Sequence, residues 1–450
     1  MKKYSLILAT TILIHFSANA THSIGGDITA KCIFGHIYRL TFTYYERISS
    51  PADRDTIEMI VSDSTSGFSQ SIIVGFSSTV YFAPDVNKRI FDTVFVFPDV
   101  GDYEISVEDP NRTDGVVNIP NSVNVPFFNV CKIHVDLFNS SPVFLNDPII
   151  YVQQGVPFTY NPLPYDENDD SLSWSLVVPL GSGGAPIPGY TFPSSDFAID
   201  SVTGQVSFLP QTLGKFCFVV QVNEYKNNVF IGFIRRDMMI YVISSTNNTF
   251  SSTHNSNISQ SQDEYYRIPY NHTFSFDFNV ADPDPVLISI GGNGEPLITN
   301  NPATFTHTDG NSAAQSNLNW ATTDSNFRIH PYLFAFRTLD ISGNDSFYLD
   351  YSLALKIMDV TYGINDLADN QNISIYPNPN SGSFAIKFSK PITFNSEFIV
   401  SDAAGREVYT QTITNPSQST IDISYLNNGV YFYQLTNNKE SFRGKLVIEK

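Results

Sequence analysis

Hydrophobic and polar residues alternate with a period of two along most of this chain. Between residues 37 and 97 the runs IYRLTFTYY, TIEMIV, SIIVGF, TVYF and DTVFVF follow one another, each bounded by Gly, Asn, Asp, Ser or Pro. Such alternation gives a half-buried strand one apolar and one polar face, so it predicts short β-strands and few helices. GDYEISVEDPNR places Tyr103, Ile105 and Val107 on one strand face, with Asp109 at the strand end. GVPFTYNPLPYDENDDSLSWSLV reads as strand, acidic turn, strand, and FAIDSVTGQVSFLP adds a turn at Asp200, Thr203 and Gly204. KFCFVVQVNEY and MMIYVI then close a sheet, which makes the predicted fold class all-β.

The pattern repeats. Phe158, Tyr160 and Asp166 correspond to Phe274, Phe276 and Asp282 at an offset of 116 (274 − 158, 276 − 160, 282 − 166), and the same offset pairs Phe218, Val220 and Glu224 with Phe334, Phe336 and Asp340. One offset at both ends implies duplication of a whole domain. At 450 residues the chain is also too long for a single core. The expected organisation is a leader over 1–20, an N-terminal sandwich over 21–138, a second module over 139–243 and a degenerate copy of it over 265–362. The Ser/Asn/Thr-rich stretch 244–264 reads as a flexible linker, 363–372 as a second joint, and 373–450 as a last small sandwich. Trp174 is expected as a core aromatic of a central strand, with a sugar-stacking platform as the alternative. Cys217, which faces away from Phe216, Phe218, Val220 and Val222, is expected as a small, partly covered packing residue.

Composition changes the picture only in its exclusions. Apolar residues make up 42% of the chain and aromatics 14%, enough for several cores. The 44 acidic against 25 basic residues give a net charge of −19, which disfavours nucleic acid and anionic membranes as partners.

Lys2 and Lys3 precede the apolar run LILATTILI, and Ala18-Asn19-Ala20 offers the small residues a signal peptidase needs, so cleavage is expected after Ala20. The run is too short to span a bilayer as a stable helix, and no later stretch is long enough. In a chain bound for an oxidising compartment, Cys32 and Cys131 are the expected disulfide, with two separate thiols as the alternative. The bridge would close a loop of about a hundred residues and contribute up to ~4–5 kcal/mol.

Candidate chemistry is concentrated in one turn. Asp166, Glu167, Asp169 and Asp170, joined by Glu224 or Asp237 from a neighbouring strand end, cluster carboxylates that repel one another. A hard cation such as calcium would relieve that repulsion. The alternative is a solvated turn in an acidic protein. The cognate turn ADPDP keeps only Asp282 and Asp284, so no second site is expected there. His-Glu-x-x-His, Gly-x-Ser-x-Gly, Cys-x-x-Cys and a phosphate-binding Gly-rich loop with Lys are all missing, which favours a protein that is not an enzyme. Paired carboxylates for glycoside hydrolysis remain open, because their spacing is spatial.

The last stretch carries the strongest motif order: Pro377, Asn378 and Pro379 with Gly382 and Phe384; Asp402 with Gly405; Leu426, Gly429 and Tyr431; and Lys445, Leu446, Val447. It resembles the C-terminal sorting domain of the type IX secretion system of Bacteroidota, in its "PNP" variety. An ordinary terminal Ig-like domain is the alternative. The resemblance implies passage through the periplasm, recognition by the secretion machinery at the outer membrane, removal of the domain, and release of the cargo or its attachment to lipopolysaccharide at the cell surface. The preceding modules resemble cadherin-like and Ig-like repeats of bacterial surface proteins. At the join DLFNSSPVF, Asp136 and Pro142-Val143-Phe144 match a cadherin linker, but the residues between them lack the carboxylates of a calcium joint. The expectation is therefore an exported, non-catalytic adhesion or recognition cargo with an unknown surface glycan or protein as ligand, no cofactor unless the acidic turn holds calcium, and no transmembrane segment. A polysaccharide-degrading enzyme or carbohydrate-binding accessory is the first alternative, and a structural spacer the second.

Overall fold

A computed structural model describes residues 23–450 except 51–53, 137, 246–249, 343–344, 359–372, 389–395, 403–404, 415–417 and 437–440. The leader with Ala20 and the joint 363–372 lie outside the described residues. Regular structure among the described residues is β-strand apart from four short 3-10 turns, as the alternation requires. Two compact units form, residues 1–358 and 359–450.

The N-terminal module consists of β1 (Ser23–Phe34), β2 (Ile37–Arg47), β3 (Thr56–Asp63), β4 (Phe68–Ala83), β5 (Val86–Val96), β6 (Gly101–Asp109) and β7 (Phe127–Val135). Their order, β1-β2-β5-β4-β3-β6-β7, is that of a constant-type Ig sandwich with layers β1-β2-β5-β4 and β3-β6-β7. The two layers run into each other because β4 serves both. Its first half pairs with β3 from Phe68 to Gly75, and its second half pairs with β5 from Phe76 to Ala83. Inward positions are filled by Tyr38, Phe42, Tyr44, Phe91 and Phe127.

The second module contains β8 (Val143–Phe144), β9 (Tyr151–Gln153), β10 (Phe158–Tyr160), β11 (Pro164–Tyr165), β12 (Ser171–Val177), β13 (Ala198–Ile199), β14 (Val206–Phe208), β15 (Gly214–Lys226) and β16 (Val229–Ile243). One layer is β12-β15-β16 with β9 parallel to β16, and the other is β10-β14-β13. The third module contains β17 (Ser251–Ser256), β18 (Tyr265–Pro269), β19 (Thr273–Ala281), β20 (Leu287–Gly294), β21 (Thr304–Thr308), β22 (Gly310–Asn311), β23 (Ala313–Ala321), β24 (Tyr332–Ser342) and β25 (Asp345–Met358). Its layers, β18-β25-β24-β20-β22 and β17-β19-β23-β21, follow the same plan.

Several expectations change. The stretch 244–264 is not simply a linker: Ser251–Ser256 pairs with β19 as an edge strand. Edge strands are commonly polar, so its composition does not separate it from a linker. Trp174 lies on β12, which ends the sheet, so it is an edge residue rather than a central one. It is half-buried against Gly204 and donates Nε1 to the Asp200 carbonyl at 2.8 Å. The modules are not beads, because β16 pairs with both β1 and β7 and the first two sandwiches share one core. Arg236 reaches Asp27 of the first module at 2.8 Å, and Arg112 reaches Asp237 at 3.0 Å, both pairs buried.

The cysteines are free thiols, and the expected Cys32–Cys131 bridge is absent. Cys131 points into the common core, whereas Cys32 is partly exposed and directs its Sγ at the Gly35 carbonyl, 3.6 Å away. Cys217 does face away from the shared core, but it is fully buried. The β6–β7 loop covers it, and Asn118 accepts from its backbone N–H at 2.9 Å.

The sorting unit contains β26 (Ile373–Tyr376), β27 (Ser383–Phe388), β28 (Ser396–Ser401), β29 (Glu407–Ile413), β30 (Gln418–Asp422), β31 (Gly429–Thr436) and β32 (Ser441–Ile448). Its layers are β26-β27-β30 and β29-β28-β31-β32 around Phe384, Phe398, Leu435 and Leu446.

Candidate cation site and sorting domain

The acidic turn joins β11 to β12. Its backbone is shaped by Asp166, whose Oδ1 accepts from the N–H groups of Asn168 at 2.9 Å and Asp170 at 3.0 Å. Asp169 completes the turn with φ of 62°, a left-handed value that Asp tolerates better than most residues. Opposite Leu172 of β12 stands Glu224 of β15, at a β-bulge where the register with β16 shifts between Glu224 and Tyr225. Gly232 of β16 faces the bulge. A Cβ there would meet the Lys132 carbonyl of β7 at 2.4 Å and Glu224 Oε2 at 3.3 Å, so this close packing needs glycine.

The result is a cluster of Asp166, Asp170 and Glu224 whose ligand oxygens lie within 4.8 Å of one another. Glu224 is fully buried, and neither of its oxygens accepts a hydrogen bond of normal geometry. Asp166 Oδ2 and Asp170 Oδ2 are likewise buried without a donor. Burial, followed by the neighbouring charges of Asp166 and Asp170, pushes the Glu224 carboxyl up to about 9. Burial also raises Asp166 to about 7, against the pull of the Asp170 N–H, and it raises Asp170 against the Lys226 charge. Lys226 Nζ is held by Asp136 at 3.1 Å.

Of the five acids expected in the site, the turn thus sends two elsewhere. Glu167 bonds Lys31 of the first module at 2.8 Å and Ser140 at 2.7 Å; its burial acts upward, but these bonds outweigh it and hold its carboxyl below the usual range. Asp169 pairs with Arg328 of the third module at 2.9 Å. Asp237 belongs to Arg112. Asn139 went unnoticed in the sequence: its side chain acts on Glu224, and its buried Oδ1 has no donor. The only hint was its place in the join.

In the sorting unit, the motif's two ends meet. Asn378 donates its Nδ2 to the Lys445 carbonyl at 2.8 Å and accepts from the Val447 N–H at 2.8 Å. Asn380 extends the clamp by donating its N–H to the Val447 carbonyl at 3.0 Å, and its own carbonyl accepts from Glu449 at 2.7 Å. Pro377 and Pro379 are exposed and follow directly on β26, as residues without an N–H should. Gly382 has φ of 103°, and a Cβ there would lie 2.4 Å from Ser424 Cα. Asp402 and Gly405 close a turn through a 2.9 Å backbone bond, with φ of 79° at the glycine. Leu426 packs at the core edge, Leu446 lies within it, and Gly429 opens β31, two residues before Tyr431, whose hydroxyl donates to the Asn427 carbonyl at 2.9 Å.

This defines a small two-layer β-sandwich closed by its own termini. Residues 374–449 match the family model described as "Secretion system C-terminal sorting domain". The segment is therefore a type IX sorting domain, and the chain is an exported protein, either secreted or attached at the cell surface. No helix among the described residues is long and apolar enough to cross a membrane. No curated protein gives a significant match. Solved structures that align include the N-terminal eight Ig domains of Down Syndrome Cell Adhesion Molecule, at 12% identity over 90% of this chain and 52% of that one with a TM-score of 0.19. The CupB2 chaperone of Pseudomonas aeruginosa aligns at 13% identity over 43% and 100%, TM-score 0.16. The BSP domain of a biofilm associated protein aligns at 9% identity over 95% and 96%, TM-score 0.15. Similarity at these scores carries no functional argument.

Proposed function

We propose that the protein is a non-catalytic recognition or adhesion protein that binds its ligand through the outer face of the N-terminal sandwich. One observation supports this: the β1–β2 hairpin end and β5 turn large apolar side chains to solvent. Ile37 pairs with Val96 and Arg39 with Val94, next to Phe34, and Val94, Val96 and Phe34 are 56%, 62% and 74% exposed. In a chain of net charge −19, a contiguous apolar strip marks a contact surface. Its ligand is a surface glycan or a protein on a neighbouring cell. The test is a Val94→Asp, Val96→Asp double variant, compared with wild type for attachment of cells to host or sibling surfaces and for binding of the purified chain to glycan arrays. Loss of attachment with unchanged unfolding temperature is expected; attachment equal to wild type would remove the reading.

A carbohydrate-binding accessory role draws support from a cleft of about 380 Å³ between the second and third modules, where Phe250, Phe278 and Tyr351 stand beside Thr159, Gln205 and Ser252. The one acid of that cleft, Asp350, is held by Arg337 through two bonds of 2.8 Å, which favours binding over hydrolysis.

A further inference from the structure

We infer that Asp166, Asp170 and Glu224 bind one calcium ion, which fastens the acidic turn to β15 where the three sandwiches meet. The cluster alone would be insufficient ground, since acids gather on many surfaces. The deciding feature is Glu224: it has 0% exposure, neither of its oxygens accepts a hydrogen bond of normal geometry, and one of them lies within 4.8 Å of an oxygen of each of the other two acids. A buried carboxylate in that position needs a partner, and the fold supplies it no cation in direct contact. Asp166 Oδ2 and Asp170 Oδ2 add two more oxygens without donors at the same spot.

The donor set selects the ion. It consists of oxygens only, with no His or Cys in the group, which suits a hard cation rather than zinc or copper. With Asp166 Oδ1 held by the turn, the three carboxylates offer up to five oxygens, and water completes the six to eight that calcium takes at flexible geometry. Charge also closes: a divalent ion leaves one negative charge from three carboxylates, and the Lys226 ammonium lies beside them. The Asp166 side chain divides its work, with Oδ1 shaping the turn and Oδ2 left to bind. Because the flanking Glu167 and Asp169 are tied to Lys31 and Arg328, an ion in this turn stiffens both joints together.

The test uses the full exported chain, stripped with EDTA, dialysed, and titrated with calcium chloride alone by calorimetry. A single saturable site and a raised unfolding temperature are expected. Glu224→Gln and Asp166→Asn should each weaken binding by at least about a hundredfold, because ligand charge sets calcium affinity over decades. Glu167→Gln should leave it unchanged. Terbium offers a readout that does not depend on those variants folding: Trp174 lines the same cavity as Asp166 and Asp170, whereas Trp320 is buried in the third module. Tryptophan-sensitised terbium emission should therefore vanish in Trp174→Phe while calcium binding persists. No heat and no thermal shift up to millimolar calcium would overturn the proposal in favour of carboxyl groups sharing protons. So would undiminished binding by a folded Glu224→Gln, or terbium emission that survives Trp174→Phe.

Discussion

In the second sandwich Leu172 of β12 lies opposite Glu224 of β15; in the third, Ile288 of β20 lies opposite Asp340 of β24, the same pair displaced by 116 residues (288 − 172, 340 − 224). The register agrees along both strand pairs, so the two modules share a backbone plan down to individual partners. Their chemistry does not agree. Asp170 is matched by Val286, and the three-acid cluster found at the first turn has no counterpart among the described residues at the second. The bulge at Glu224 is also missing from the copy, where Asp340 and Ile341 pair with Phe347 and Ser346 without a shift. Beyond the bulge, Arg236 and Asp237 occupy the places held by Tyr351 and Ser352 in the third module. Those differences follow the neighbours. The second sandwich is gripped from both sides and has put its charges at the grips, so a duplicated fold has diverged at its contacts while keeping its ladder.

Several changes would break or sharpen this contrast. Arg236→Ala should be the most damaging, since it strands Asp27 in the core and removes the bond to the Tyr160 hydroxyl; a loss of about 3–5 kcal/mol in denaturant unfolding is expected. The pH dependence comes next. Folded Glu224 and Asp166 hold protons up to about 9 and about 7, while their unfolded values are 4.5 and 3.8. Both pKa values are raised, so the stability these acids contribute is complete at acid pH and lost as pH climbs through the folded values. In EDTA the unfolding temperature should therefore fall between pH 5 and 9. Glu224→Gln should flatten that slope, and a slope identical to wild type would contradict it. Grafting the site by Val286→Asp with Asp340→Glu should cost the EDTA-treated protein about 1–3 kcal/mol through a new buried acid. It should also raise the number of bound terbium ions from one to two, and a count that stays at one would assign the decisive role to the bulge. Glu167→Ala should have the smallest effect, below about 1 kcal/mol, because its Lys31 partner is largely exposed.

Much of this plan was legible in the chain. Period-two alternation and a constant offset announce strands and a duplication, because both are properties of neighbouring residues. The acidic turn was legible for the same reason, and so was the order of the sorting motif. What could not be read were partners far apart in sequence. Nothing near Glu167 or Asp169 says that Lys31 and Arg328 will claim them, and so the five expected acids reduced to three. The cysteine pairing failed although both side chains touch one core, because Cys131 lies inside it whereas Cys32 packs against its margin at the exposed end of β1. Strand Ser251–Ser256 escaped notice because an edge strand need not be apolar.

The clamp between Asn378 and the backbone of Lys445 and Val447 also sets when the Pro-Asn-Pro segment can be fixed in place. A ribosome delivers the Pro-Asn-Pro segment well before the strand that immobilises it. A polypeptide broken off short of Lys445 holds every upstream sandwich yet leaves the Asn378 side chain without these backbone partners. Closure of this small sandwich therefore waits for its last strand, and the first residues of the motif settle together with its last.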